Sequence, residues 1–424
     1  MTTTTLATLT SCLSDYDPNA LSVASAQQLI TQFITPLQSY EKLALRSALG
    51  RVLAADVISP INVPAHNNSA MDGYALKGDD LANGAQQFTI VGKSLAGHAY
   101  MGKVASGQAI RIMTGAVMPA DCDTVIPQEF TEADGTQMRI AQGQFKCGDN
   151  RRLAGEDLAQ GGIAIARGKL LRPADIGMLA SLGIAEVRVV RRPRVAFFST
   201  GDELRSVGEV LDEGCVYDSN RYTLHGMLTR LGCDILDMGL VRDDPASLEA
   251  ALRTACENAD AIITTGGVSV GEADFIKNLM VQLGEVAFWK INMRPGRPFA
   301  FGQISHGPHQ AYLFGLPGNP VSAAVTFYLL VRNALLKLLD TESPLPKVSA
   351  ALSQVIRKKA GRAEFMRGIA EMKDGQLTVR LTGAQGSGIL SSMGQANCLL
   401  CLPAEDKEFA VGQAVPILLF DGLA

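Results

Sequence analysis

The sequence predicts a multidomain α/β-plus-β protein built around a central α/β domain with a mostly parallel sheet. Two observations carry this. From Arg194 to Leu339 short apolar runs alternate with amphipathic segments, the pattern of βαβ units. On either side the chain turns strand-like: a Gly-rich region up to residue 155, and the residues that follow the linker TESPLPK.

The elements follow in order. SVASAQQLITQFI and EKLALRSALGRVLA read as helices leading into DVISPINVP. After the Gly-rich region, GGIAIARGKLL reads as strands and RPADIGMLASLG as a helix with Pro173 in its first turn. The helical pieces resemble each other in character, so the strand-rich segment between them reads as an insertion into one discontinuous domain. In the α/β region RVAFFST, CDILDMGLV, DAIITT and VAFWKI are strands. NRYTLHGMLTRLG, PASLEAALRTACENA and ADFIKNLMVQLG are helices. Beyond the linker, FMRGIAEMKDGQLTVRL reads as a hairpin turning at Asp374 and Gly375.

Composition narrows the function. Of 424 residues, 47% are apolar and 19% charged, ample for buried cores. A net charge of −4 and a pI near 5.8 give no attraction for nucleic acid or an anionic membrane. No apolar run reaches the roughly 18 residues of a membrane span, and MTTTTLATLTSCLSDYDP reads as a loose polar lead-in. The eight cysteines sit mostly in apolar runs, as reduced core cysteines do. Cys398 and Cys401 have zinc or redox spacing but lack a second ligand pair, so they read as strand cysteines; His306 and His309 read as exposed turn residues. The expectation is a soluble, cytoplasmic protein.

Ligands of parallel sheets bind beyond the carboxyl ends of the strands, and there FSTGDE, VRDDP and TTGGVSVGEAD all fall. Gly266, Gly267 and Ser269 suit a backbone cradle for an anion, yet Glu272 and Asp274 follow at once. Glu203, Asp243 and Asp274 arrive at the same sheet edge. Either these acids cap helices, Asp244 for the helix starting at Pro245, or they hold a hard cation such as Mg²⁺ against a phosphate. Opposite in character is WKINMRPGRP, in which Lys290, Arg294 and Arg297 sit in a loop stiffened by Pro295 and Pro298: either a solvated basic loop or an oxyanion site. Arg332 and Lys337 read as solvent-facing. In GLPGNPVS, Asn319 is a good N-cap, Pro320 fits the first helical position and Ser322 the first turn; Pro317 stiffens the approach. Asp72, in the turn of AMDGYA, is a turn residue, a general base or a hydrogen-bond acceptor.

In this order NSAMDGYA, IRIMTGA, RRLAGEDL, FSTGDEL, TTGGVSVGEAD, PGRP and GLPGNPVS resemble the molybdopterin molybdenumtransferases, the group to which the C-terminal domain of gephyrin belongs. The resemblance runs from about residue 20 to the end of the chain. It implies an elongated discontinuous domain over 20–60 and 155–192, an inserted β domain over 61–154, a molybdopterin-binding α/β domain over 193–341 and a C-terminal β-barrel over 346–424. It implies a homodimer whose cleft receives residues from both subunits, with molybdopterin adenylyltransferase and molybdoenzyme-delivery proteins as further partners. The implied reaction is transfer of molybdate into adenylylated molybdopterin, with Mg²⁺-dependent hydrolysis of the adenylate and release of AMP. By position, Asp243 and Asp274 would serve the metal and the hydrolysis, with Glu203 nearby. Arg294, Arg297, Ser322, Arg362 and Ser387 would hold molybdate, and Lys290 the substrate phosphate. Asp72, Thr114, Glu156 and Asp157 would complete the cleft. The chain departs from the family at Arg294 and Arg297, where lysines are common, and at Asn67, where Asp is common. Two rival readings remain: a molybdopterin adenylyltransferase, which the α/β domain alone resembles, and a gephyrin-like scaffold without catalysis.

Overall fold

In a computed structural model the described residues are 5–11, 16–141, 143–266 and 274–420, the side chains of 274–277 excepted. They form two compact units, Lys42–Val189 and the remainder of the chain.

In Lys42–Val189 a six-stranded sheet runs in the order Thr124–Pro127, Gly73–Leu76, Gln108–Ile112, Gln87–Ser94, Gln137–Ile140, Thr131–Ala133. Alternation along its strands sends Ala75, Ile110 and Val125 into one core and Tyr74, Phe88 and Ile126 into another. A separate core gathers Ala48 and Leu53 with Ile165, Leu179 and Val187, from segments flanking that sheet in sequence. The helix Pro173–Ser181 forms with Pro173 in its first turn. EKLALRSALGRVLA is not helical: Tyr40–Ala44 is a strand, followed by a single 3-10 turn at Leu45–Ser47. Its alternating exposure suits pairing with Glu186–Val190, so tertiary pairing overrides its helix-forming residues.

In the other unit six strands build the α/β sheet: β1 (Arg194–Thr200), β2 (Asp234–Val241), β3 (Ala261–Thr265), β4 (Gly284–Lys290), β5 (Pro298–His306) and β6 (His309–Leu316). Their order is β2-β1-β3-β6-β5-β4. The first four are parallel, and β5 and β4 add an antiparallel edge. Val195, Phe197, Ile263 and Phe314 fill a core on one face; Ala196, Phe198, Ile262 and Leu313 fill one on the other. Burial on both faces is why these strands read as unbroken apolar runs. The β5–β6 hairpin turns at Gly307 and Pro308, leaving His309 exposed. His306 is instead half-buried, with Nδ1 2.9 Å from Arg253 and Nε2 3.3 Å from Glu257.

After α1 (Leu6–Ser11) and α2 (Val23–Phe33), the helices α3 (Ser219–Arg230), α4 (Pro245–Asn258) and α5 (Asp274–Leu283) of this unit connect the strands. A long helix, α6, covers Pro320–Leu338 and contains a π-helical turn at Phe327–Val331. It is long and apolar enough by composition to cross a membrane, yet Arg332 and Lys337 interrupt its apolar run and 78% of its most apolar window is buried inside the protein, as in a core helix. Arg332 on it does not face solvent: it is half-buried, and burial lowers its guanidinium below the usual value. The N-terminal lead-in is not featureless either. Leu6–Ser11 is helical with Leu6 in the core, and Trp289 Nε1 donates to Tyr16 Oη at 3.2 Å.

At the C-terminus Lys347–Leu352, Ala363–Lys373, Gln376–Leu381, Cys398–Leu402 and Ala414–Leu419 close into a five-stranded barrel, with Ala363–Lys373 paired to both Gln376–Leu381 and Cys398–Leu402. The hairpin turns at Asp374 and Gly375, both with positive φ (51° and 77°). Cys398 and Cys401 are free thiols on one strand of it.

Gly266 ends β3 with φ +89°, and a Cβ there would lie 2.2 Å from Thr200 O. Gly266→Ala should therefore destabilise the protein by at least the roughly 1–2 kcal/mol of a left-handed L-residue. A thermal melt against the unsubstituted chain reads this, and an unchanged midpoint would show that the strand ends tolerate separation.

Candidate active site

Three strand ends set the geometry. Thr200 ends β1, and Gly266 and Pro317 follow β3 and β6 on the parallel side of the sheet, where Ser199 and Thr265 share a 2.8 Å hydroxyl hydrogen bond. The turn at Gly318 is held from α3, where Asn220 Nδ2 donates to Gly318 O at 2.7 Å. Beyond it α6 begins at Pro320. Asn319 occupies the N-cap position, but its side chain makes no capping hydrogen bond. Asn319 is among the residues that line the cleft.

The basic loop closes on itself, Ile291 N donating to Arg297 O at 2.7 Å. The Arg294–Pro295 peptide is cis. Gly296 passes so near α6 that a Cβ would lie 2.4 Å from Thr326 Oγ1. Met293 and Arg294 pair with Ala363 and Glu364 of the barrel, whose buried Glu364 carboxylate lies 3.7 Å from Arg294. A second seam joins the barrel to α6: Val321 N donates to Ser387 O at 3.1 Å.

Between these segments lies a cleft of about 780 Å³. Its walls include Glu203, Arg294, Arg297, Pro298, Pro317, Pro320, Ser322, Arg362 and Ser387, all candidates from sequence. The three arginine residues are exposed, whereas Ser322 is buried. Sequence reasoning missed Tyr217, Asp218, Asn220 and Gln385 on the same walls. It also missed Arg367, whose guanidinium is buried with no acidic partner among the described residues. Nε donates to Ser392 Oγ at 3.0 Å and an Nη to Gly386 O at 2.9 Å, while its backbone N–H donates to Gln385 Oε1 at 2.8 Å. Burial lowers its pKa. Arg367 thus shapes the turn that carries Ser387.

The remaining candidates stand outside that list of walls. Lys290 is half-buried at the end of β4, opposite Pro298. Asp243, just past β2, accepts from Thr200 Oγ1 at 3.3 Å. Burial raises its pKa, and Asp202, Glu203 and Asp244 raise it further against that hydrogen bond. Asp244 does cap α4, accepting from Ser247 N at 2.9 Å, and this bond holds it below the usual carboxylate range. Asp274 is the first residue of α5. Its carboxylate, with Gly267, Ser269 and Glu272, lies outside the described residues. Among the described residues no group of three His, Cys, Asp or Glu side chains could hold a metal ion.

In the unit Lys42–Val189, antiparallel register places Asp72 and Thr114 together. Asp72 Oδ1 accepts from Thr114 N at 2.7 Å and Thr114 Oγ1 at 2.8 Å, and these bonds hold its pKa below the usual range. Glu156 and Asp157 are exposed in the same unit, and Glu156 accepts from Leu153 N at 2.8 Å.

Known proteins give this geometry a context. Residues 21–183 match the MoeA N-terminal region (domain I and II), 196–337 a probable molybdopterin binding domain, and 349–420 the MoeA C-terminal region (domain IV). A molybdopterin molybdenumtransferase of Haemophilus influenzae is 42% identical over 402 residues, covering 93% of this chain and 97% of that protein. The chain belongs to the molybdopterin molybdenumtransferase family. A member from Bacillus subtilis is 32% identical over 388 residues, with 89% of both chains covered. The crystal structure of the molybdopterin biosynthesis moeA protein from Pyrococcus horikoshii OT3 matches with a TM-score of 0.81 at 29% identity, over 95% of this chain and all of that one. As a family member the chain is an enzyme.

Two outcomes test the site's electrostatics and architecture. Because the folded Asp243 has a raised pKa, its ionised form opposes folding; the penalty is absent below the ordinary aspartate range and grows as pH rises through the folded value. In EDTA, Asp243→Asn should raise the melting temperature at neutral pH, with the gain vanishing in acid. Arg367→Met leaves several acceptors unsatisfied, and a buried orphan costs about 1–3 kcal/mol, so denaturant midpoints should fall accordingly.

Proposed function

We propose that this enzyme inserts molybdate into adenylylated molybdopterin, hydrolysing the adenylate and releasing AMP to give molybdenum cofactor. One observation carries the reading: Arg294, Arg297 and Arg362 line one cleft with the buried Ser322 at the start of α6. Guanidinium groups beside a helix N-terminus suit a tetrahedral dianion such as molybdate. Ser387 adds a hydroxyl from the barrel, Lys290 a charge for the substrate phosphate, and Pro298, Pro317 and Pro320 keep the walls stiff. Arginine in place of the lysines common in the family keeps the charge but offers planar donors in pairs.

Mg²⁺ fits the acidic corner beyond β1 and β2. The raised pKa of Asp243 arises partly from the neighbouring carboxylates, and a hard cation takes such oxygens. Asp243 and Asp274 would hold it; when bound, it would neutralise charge on the phosphate. Glu203, at the cleft, would orient the attacking water. Gly266, Gly267 and Ser269 would present backbone to the adenylate phosphate. Asp72, ionised and bonded to Thr114, suits a hydrogen-bond acceptor better than a general base. Glu156 and Asp157 would join it in handling substrate. A cytoplasmic homodimer is part of the same reading, as are exchanges with a molybdopterin adenylyltransferase and with molybdoenzyme-delivery proteins.

The deciding experiment is AMP release from adenylylated molybdopterin with Mg²⁺, with and without molybdate. Molybdate-dependent release supports the transferase; tight binding without release would favour a scaffold. Asp274→Ala should abolish turnover with an unchanged melting temperature, whereas a destabilised variant active per folded molecule would make Asp274 a cap. Arg297→Ala should raise the molybdate concentration needed for half-maximal release by about tenfold or more, the scale of one lost charge-assisted hydrogen bond, and leave pterin binding unchanged. An equal loss of both would make the basic loop structural.

A further inference from the structure

The wall formed by the start of α3 has a chemistry unlike the rest of the cleft. Asp218 is the N-cap: its Oδ1 accepts from Arg221 N at 3.2 Å, and its side chain is 2% exposed. Its Oδ2 is buried with no hydrogen-bond partner among the described residues. Two residues on, Asn220 gives its amide N–H to Gly318 O, and its Oδ1 is likewise buried without a partner among the described residues. Both residues line the cleft, beside the half-exposed ring of Tyr217, whose hydroxyl is tied to Glu209 O at 2.9 Å. Buried oxygens without donors are rare in folded proteins and call for a reason.

We infer that Asp218 and Asn220 recognise the aminopyrimidinone edge of the pterin, with Tyr217 against its ring face. This deepens the function proposed above and rests on it. Two acceptors from one helix start call for donors on the ligand. A pterin presents N3–H and its 2-amino group side by side, one donor for each of the two oxygens. An oxyanion is excluded, because the cap already places a negative charge at this helix start. Adenine fits poorly, since its amino group adjoins N1, which is itself an acceptor. Either oxygen of the carboxylate can serve as the cap, which leaves the other for a ligand. Arg297 and Ser322, on the other wall, remain free for molybdate, so the two walls of the cleft take different ligands.

The test compares Asp218→Asn with the unsubstituted full-length protein, using molybdopterin adenylate and AMP as separate probes in equilibrium titrations. Asparagine caps a helix as well as aspartate but can turn a donor toward the pterin. The expected result is an affinity for molybdopterin adenylate at least about tenfold weaker, equal to ~1.4 kcal/mol, with AMP affinity and melting temperature unchanged. Unchanged pterin affinity in the folded variant, or an equal loss for AMP, would overturn the assignment. If Asp218→Asn melts early, Tyr217→Leu decides in its place: the same selective loss upholds the assignment and its absence overturns it. Failure of the unsubstituted protein to bind molybdopterin adenylate at all would instead remove the functional reading and this inference with it.

Discussion

The cleft depends on direct bonds between segments remote in sequence. Asn220 donates to Gly318, Val321 to Ser387, and Ala363 N to Asn292 O at 3.2 Å. These bonds tie the start of α3, the start of α6 and the basic loop to the C-terminal barrel. Each uses a backbone group that would otherwise be an orphan at a helix end or turn. The walls are therefore fixed by obligatory hydrogen bonding rather than by side-chain packing alone. The tight passages at Gly266 and Gly296 follow from the same crowding, because neither position has room for a Cβ.

Charge is segregated within that frame. Carboxylates gather past β1 and β2, and Asp243 among them is held partly protonation-prone by burial and by its neighbours. Guanidinium groups gather on the basic loop and at the barrel's edge. Glu364 lies near Arg294 and moderates one of them without closing the cleft. The buried, acid-free Arg367 shows another use of the same side chain: it spends its donors on carbonyls and a hydroxyl, and so fixes the shape of a loop.

The most legible parts of the sequence were those with one dominant local cause. β1 and β3 are buried on both faces and announced themselves as apolar runs; the Asp374–Gly375 turn follows from residues that accept positive φ, and the Asp244 cap from a carboxylate that takes a nearby backbone N–H. The misreadings share the opposite property. Tyr40–Ala44 is a strand because Glu186–Val190 pairs with it, and Arg332 is half-buried because α6 runs through the core. Nothing within a few residues of either one encodes its partner.

The sequence by itself determined the α/β class, the barrel hairpin and which short motifs carry acidic, basic or anion-cradling chemistry, since these follow from periodicity and from residue type. Only the tertiary structure decided that Arg362 and Ser387 share a cleft with Arg294, Arg297 and Ser322, and that Asp218, Asn220 and Arg367 belong beside them. Aspartate at a helix start and arginine on a strand are ordinary residues in sequence. Their significance comes from burial and from the donors they lack or supply, and those are properties of the folded chain.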